Sequence, residues 1–181
     1  MGGDCLNTGC VPSKALIRSA RHAYDNSRGR SLGFSDSVIE VDFKAIMARV
    51  QRTIAEIEPH DSVERYQGLG VDVEIGEGQV LSPWHVRVNG KTISTRNIVI
   101  ASGAEPFVPP IDNLDAVDYL TSNNLWDLQE TPGRVVVLGG GPIGTELTQA
   151  LGRLGSQVTQ VELLPNILPR EDEEFSSMVQ A

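Results

Sequence analysis

Cysteines, basic residues and long apolar runs are all scarce in this sequence, and each shortage removes a class of protein. Only two cysteines, Cys5 and Cys10, occur in 181 residues. They are too few for a secreted disulfide scaffold, and disulfides of cytoplasmic proteins are generally transient and catalytic. Lysine and arginine number 15 against 24 aspartates and glutamates, a formal net charge of -9. Capture of nucleic acid or of an anionic membrane requires basic surface, so neither is expected as a partner. No stretch approaches the ~18 consecutive apolar residues that a bilayer demands. Met1 is followed by Gly2, Gly3 and Asp4, with no basic stretch and apolar core behind it. A cytoplasmic location is expected by elimination. The three histidines, His22, His60 and His85, share no zinc-ligand spacing with the cysteines. The 40% hydrophobic content is nevertheless enough for a real core.

Periodicity divides the chain. Leu16, Ile17, Ala20, Ala23 and Tyr24 recur at helical spacing and predict a helix from Pro12 to about Asn26, starting just after Cys10. A second amphipathic helix is predicted from Asp42, a plausible N-cap, through Phe43, Ile46, Met47, Val50, Ile54 and Ile57 to Pro59. Short β runs follow at Val71 to Ile75, His85 to Val88 and Asn97 to Ala101, with Asn89-Gly90 as a turn. Pro106, Pro109, Pro110, Pro132 and several Asp and Asn residues mark 105–133 as a connector. A strand from Arg134 to Leu138, a helix carrying Ile143, Leu147, Leu151 and Leu154, and a strand from Gln157 to Val161 make a β-α-β unit. The chain is therefore expected to be α/β, with one unit over 1–104 and a second over 134–181.

Within the second unit, Gly139-x-Gly141-x-x-Gly144 directly follows the strand and opens the helix. In that setting Gly139 permits a tight turn, Gly141 lets backbone approach a pyrophosphate, and Gly144 lets helix pack on strand. The helix amino end would then present N–H groups and a favourable dipole to the phosphates. Glu162 ends the next strand at about the ~20-residue separation of an acid that accepts from a ribose 2'-hydroxyl. No arginine follows it, so a 2'-phosphate would meet like charge, and NAD(H) is expected in preference to NADP(H). A plain glycine loop and a solvated strand end are the alternative readings of these residues.

Cys5 and Cys10 stand five residues apart in GGDCLNTGCVPSK. A regular helix would separate them by ~7.5 Å along its axis, on different faces, outside the ~4.4–6.8 Å Cα range of a disulfide. A bridge therefore needs an irregular first turn, for which Asn7, Thr8 and Gly9 are suited, Gly9 through a positive φ. Sulfurs at a helix amino end are expected to have lowered pKa values. The competing reading is two free cysteines filling an apolar corner.

GGDCLNTGCVPSK resembles the redox-active disulfide signature of the pyridine nucleotide-disulfide oxidoreductases, which include dihydrolipoamide dehydrogenase, glutathione reductase and mercuric reductase. Ala101-Ser102-Gly103-Ala104-Glu105-Pro106 is similar to that family's flavin-domain exit segment, and VVVLGGGPIGTELTQALGRLGSQVTQVE to its NAD-binding opening. The resemblance covers nearly the whole chain in the family's order. It implies a partial FAD-binding Rossmann-like domain with a small antiparallel β part, followed by the first βαβ unit of an NAD-binding Rossmann domain. Cys5 would be the interchange thiol that meets substrate, and Cys10 the thiolate against the flavin. Lys14 would reach the reactive edge of the flavin and Glu146 would pair with it. Gly78, Ser102 and Gly103 join Lys14 as flavin-side candidates; Gly139, Gly141, Gly144 and Glu162 are the NAD-side candidates.

The family pattern also carries a flavin-binding βαβ unit ahead of the cysteines and a dimerisation domain beyond the NAD half-fold, so an internal piece of a longer enzyme is expected. Departures from it are Asp4 and Ser102 where threonine is common, and the acid at Glu105. Asp4 and Glu105 would repel flavin phosphate. The implied function is electron transfer from NAD(P)H through FAD and a Cys5-Cys10 disulfide to a small-molecule disulfide, dithiol or metal-ion substrate, in a homodimer or higher assembly. The alternative is a non-catalytic dinucleotide-binding fragment that self-associates.

Overall fold

The computed structural model describes residues 1–35 and 40–180. Ala181, the last residue of the second expected unit, and positions 36–39 within the first lie outside the described residues. Helix α1 (Gly3–Asn7) and helix α2 (Cys10–Ser27) are separated by Thr8 and Gly9. Pro12 lies in the first turn of α2, where a missing N–H removes no helical bond. Helix α3 (Phe43–Ile57) starts where Asp42 was expected to cap it: the side-chain oxygen of Asp42 accepts from Ala45 N–H at 2.9 Å. Helix α4 (Val63–Gly68) follows, capped in the same way by Ser62.

One core joins these helices to the second unit. Ala15, Leu16 and Ala20 of α2 and Phe43, Met47 and Val50 of α3 pack with Ala150, Leu151 and Leu154 from the distal helix. Leu125 and Trp126 complete it from a short 3-10 turn inside the expected connector. Full burial of a Val, Leu, Phe or Met side chain is worth about 1.5–3 kcal/mol. The shared cluster therefore ties the cysteine-bearing helix to the glycine-bearing helix as firmly as it ties either to its sequence neighbours.

Strands β1 (Gly78–Ser82), β2 (His85–Val88) and β3 (Lys91–Ser94) form an antiparallel meander in the order β1-β2-β3. The expected Asn89-Gly90 turn joins β2 to β3, both residues at positive φ (48° and 78°). Two expected strands are not formed. Val71 to Ile75 and Asn97 to Ala101 enter no ladder among the described residues, and the actual partners of β2 are 78–82 and 91–94. Strand-prone composition needs a neighbouring strand to become a strand. Ile75, Val99 and Ile100 instead stand 76%, 88% and 77% exposed.

Strand β4 (Arg134–Leu138) and strand β5 (Gln157–Val161) are parallel, in register from Arg134 opposite Gln157 to Leu138 opposite Val161. Helix α5 (Pro142–Arg153) makes the crossover. Helix α6 (Glu173–Gln180) closes the described chain, its Ser176 hydroxyl donating to the Ile167 carbonyl. No helix among the described residues is long and apolar enough to cross a membrane.

Candidate functional site

The glycine turn after β4 is built by steric necessity. Gly139 has φ +108°, which side chains rarely adopt. A Cβ on Gly144 would lie 2.3 Å from the Gly139 carbonyl oxygen, so the helix start folds back onto the turn only with glycine there. Gly141 caps α5 in an extended conformation, and no atom lies within 4 Å of where its Cβ would be. That open approach in front of a helix amino end suits a phosphate group. Gln160, which sequence patterning did not single out, braces the turn by donating to the Gly139 carbonyl at 3.0 Å.

Glu162 bends back from the end of β5 onto the same turn. Its carboxylate accepts from Leu164 N–H at 2.9 Å and from Gly140 N–H. These two bonds, the Leu164 bond first, hold the carboxyl below its ordinary value. An ionised carboxylate has further lone pairs beyond two acceptor contacts, so it can also receive a ribose hydroxyl.

Cys5 sits in α1 and Cys10 is the first residue of α2, both as exposed free thiols. The irregular turn expected between them is present, but it is not made by a positive φ at Gly9. Gly9 has φ -120° and ψ -109°, and glycine is needed because a Cβ would lie 2.8 Å from the Asp4 carbonyl oxygen. The expected lowering of pKa is also corrected at Cys5. Its thiol is raised, first by a hydrogen bond with the Cys10 side chain and then by partial burial and charge repulsion from Cys10. A five-residue helix offers little dipole to oppose a neighbouring sulfur.

Lys14 and Glu146 meet across α2 and α5, with Nζ 2.7 Å from Oε1 and 2.6 Å from Oε2. Both are solvent-exposed, so the pair contributes about 1 kcal/mol at most to stability. Its effect is placement: Glu146 lies just over one turn beyond Gly141, and Lys14 one turn beyond Cys10. The contact thus spans from the cysteines to the glycine turn. Asp4 and Glu105 are each hydrogen-bonded to a neutral donor. The Asp4 carboxylate accepts from Ala104 N–H at 3.1 Å, and Glu105 from Asn123 Nδ2 at 3.0 Å. Gly103, at φ +73°, lies against the Asp4 carboxylate, which brings the Ser102-Gly103 segment beside the cysteines. Gly78 belongs to the three-stranded sheet, where it pairs with Val88. The Trp126 indole N–H donates to the Thr8 carbonyl at 3.1 Å; the two residues are 118 positions apart, so no local pattern marks that contact.

The residues fit a dinucleotide at the glycine turn, where the space before Gly141 is open and the helix amino end faces it. Of the flavin-side candidates, Lys14 lies in the first turns of α2 after Cys10, and Gly103 lies against Asp4, the neighbour of Cys5 in α1.

The family model described as pyridine nucleotide-disulphide oxidoreductase matches residues 1–181. The chain is 33% identical over 180 residues to a mercuric reductase of Lysinibacillus sphaericus, covering 99% of this chain and 33% of that protein. It is 32% identical over 183 residues to chloroplastic dihydrolipoyl dehydrogenase 2 of Arabidopsis thaliana, covering 99% and 32%. Among solved structures it is similar to the HOCl-induced flavoprotein disulfide reductase RclA from Escherichia coli, with a TM-score of 0.77 and 28% identity over 99% of this chain and 38% of that one. The chain spans between 28% and 53% of the length of the curated relatives it is compared with.

Proposed function

Because the chain belongs to the pyridine nucleotide-disulphide oxidoreductases, we propose that the protein carrying it passes electrons from NADH through FAD and a Cys5-Cys10 disulfide to a small disulfide or a metal ion. What supports this reading is the Thr8-Gly9 break that sets Cys5 in α1 and Cys10 at the start of α2, with Lys14, one turn into α2, paired to Glu146 beyond the glycine turn. FAD, when bound, supplies two-electron carriage between nicotinamide and sulfur. The chain's own residues do the rest. Gly141 and the α5 amino end receive pyrophosphate, and Glu162 accepts from the ribose. Its negative charge, with Leu163 and Leu164 following it, favours NADH over NADPH. Lys14 and Glu146 hold the two binding regions together where electrons cross.

Two electrons and two protons open the Cys5-Cys10 bond to a pair of thiols. With a disulfide substrate, the Cys5 thiolate attacks one substrate sulfur and breaks that S–S bond. Cys10 then attacks the Cys5 sulfur, releasing the second substrate thiol and closing the pair. With a soft divalent metal ion, the two thiolates bind it, give it two electrons and close to the disulfide as the zero-valent metal leaves. The mercuric reductase and dihydrolipoyl dehydrogenase relatives support both substrate classes.

A second reading, a dinucleotide-binding piece that self-associates without turnover, is favoured by the exposed apolar side chains of Ile75, Val99 and Ile100. The two are separated by NADH-dependent reduction of a small disulfide by FAD-loaded protein carrying this chain. Cys5→Ser and Cys10→Ser are each expected to abolish turnover. Full activity in either variant removes the assignment.

A further inference from the structure

Two long-range hydrogen bonds converge on the turn that holds the cysteines. The Trp126 indole N–H reaches the Thr8 carbonyl at 3.1 Å, and the Asp4 carboxylate takes Ala104 N–H at 3.1 Å. Thr8 lies in the break between α1 and α2, and Asp4 directly precedes Cys5. The Thr8 carbonyl lies outside the hydrogen-bond ladder of either helix, because the backbone leaves helical geometry at Thr8 and Gly9. Trp126 supplies a donor to it. It is itself held in place, 5% exposed within the core, with its carbonyl accepting from Gln51 Nε2 of α3 at 3.1 Å. An indole N–H in such surroundings requires a partner, and the partner here lies between the two sulfurs in sequence.

We propose that Trp126 and Asp4 are positioning residues for the redox pair: together they clamp the turn through Thr8 and Gly9 and so set the stability of the Cys5-Cys10 disulfide. This rests on the redox reading above. The connector is then a working part of the sulfur site, since Ala104 adjoins its start and Trp126 lies inside it. In exchange with glutathione disulfide, a bond forms between Cys5 Sγ and Cys10 Sγ, the glutathione S–S bond breaks, and two electrons and two protons leave with two glutathione thiols. A clamped turn keeps both sulfurs close in the dithiol state, so closure costs little further freedom. Loosening the clamp lets the dithiol spread and weakens the disulfide relative to it.

The test equilibrates this chain in glutathione buffers of graded ratio and measures the fraction of internal disulfide by alkylation and mass. Trp126→Phe keeps a ring and removes the donor; Asp4→Ala removes the acceptor, and Asp4→Asn restores an amide oxygen. Trp126→Phe and Asp4→Ala are each expected to lower the exchange constant about fivefold, the worth of one net hydrogen bond. That is a shift of roughly 20 mV toward less reducing potentials. Asp4→Asn recovers most of the loss. Trp84→Phe, in the β1-β2 turn where Trp84 is 57% exposed, leaves the midpoint unchanged. In that variant the remaining indole, Trp126, changes emission at the same midpoint as the thiol count. Wild-type midpoints in both Trp126→Phe and Asp4→Ala overturn the clamp, and should Trp126→Phe fail to fold, Asp4→Ala at its exposed site decides. A chain that forms no internal disulfide at any glutathione ratio overturns the redox reading itself, and the clamp with it.

Discussion

The Cys5 thiol shares a hydrogen bond with Cys10 that stabilises its protonated form, so it ionises above the ordinary thiol value. The thiolate is the nucleophile, and its population at neutral pH is correspondingly small. Alkylation of Cys5 by iodoacetamide is expected to rise steeply above the ordinary thiol pKa. Cys10→Ala removes the bond and the neighbouring charge, and is expected to move the Cys5 inflection downward. An unchanged inflection contradicts the assigned cause. Glu162 shifts in the opposite sense. Its folded-state carboxyl lies below the ordinary value of 4.5 because Leu164 and Gly140 N–H groups favour the ionised form. A depressed acid stabilises the fold fully above its unfolded pKa and loses that contribution as pH falls through the lower folded value. Glu162→Gln is therefore expected to flatten the acid limb of the unfolding curve, as followed by circular dichroism.

At the scale of elements, the glycine turn and the cysteine turn are both dictated by backbone approach. Gly144→Ala would place a methyl 2.3 Å from the Gly139 carbonyl. The expected cost is about 1–3 kcal/mol in urea unfolding, typical of forced overpacking, with weakened dinucleotide binding. Gly9→Ala meets the Asp4 carbonyl at 2.8 Å and is expected to separate the sulfurs, lowering the yield of internal disulfide. The helices and the β-α-β unit were legible because their apolar periodicity coincides with the faces that became buried, as at Phe43, Met47 and Val50. The Asp42 cap was legible because capping is local. Val71 to Ile75 and Asn97 to Ala101 misled because strand formation depends on a partner that composition does not reveal. The role of Gly9 was half legible: an irregular turn was needed, but the close approach of Asp4 that demands glycine is a three-dimensional fact.

Across the whole molecule, the core runs from α2 and α3 through Leu125 and Trp126 into α5. A proline-rich, polar stretch gave no sign that its Leu125-Trp126 pair was a core element, since two adjacent apolar residues carry no periodicity. The contact of Lys14 with Glu146 was equally hidden from pattern alone, since the two residues are 132 positions apart, and only the family resemblance implies it. The exposed Val99 and Ile100 are a contiguous apolar step on an otherwise acidic protein. Exposed strand-prone segments of this kind favour association. Val99→Asp with Ile100→Asp is expected to shift the isolated chain toward monomer in sedimentation velocity, and an unchanged distribution removes these residues as the cause.

The proposed chemistry depends most on Cys5 and Cys10 bonding reversibly to one another. Cleavage after Lys14 leaves both cysteines in the single peptide Met1 to Lys14, so peptide mass reads the pair directly. Oxidation by glutathione disulfide is predicted to remove two hydrogens from that peptide, and dithiothreitol to restore them. Independent glutathione adducts on each cysteine, with no internally bridged peptide at any ratio, would contradict it.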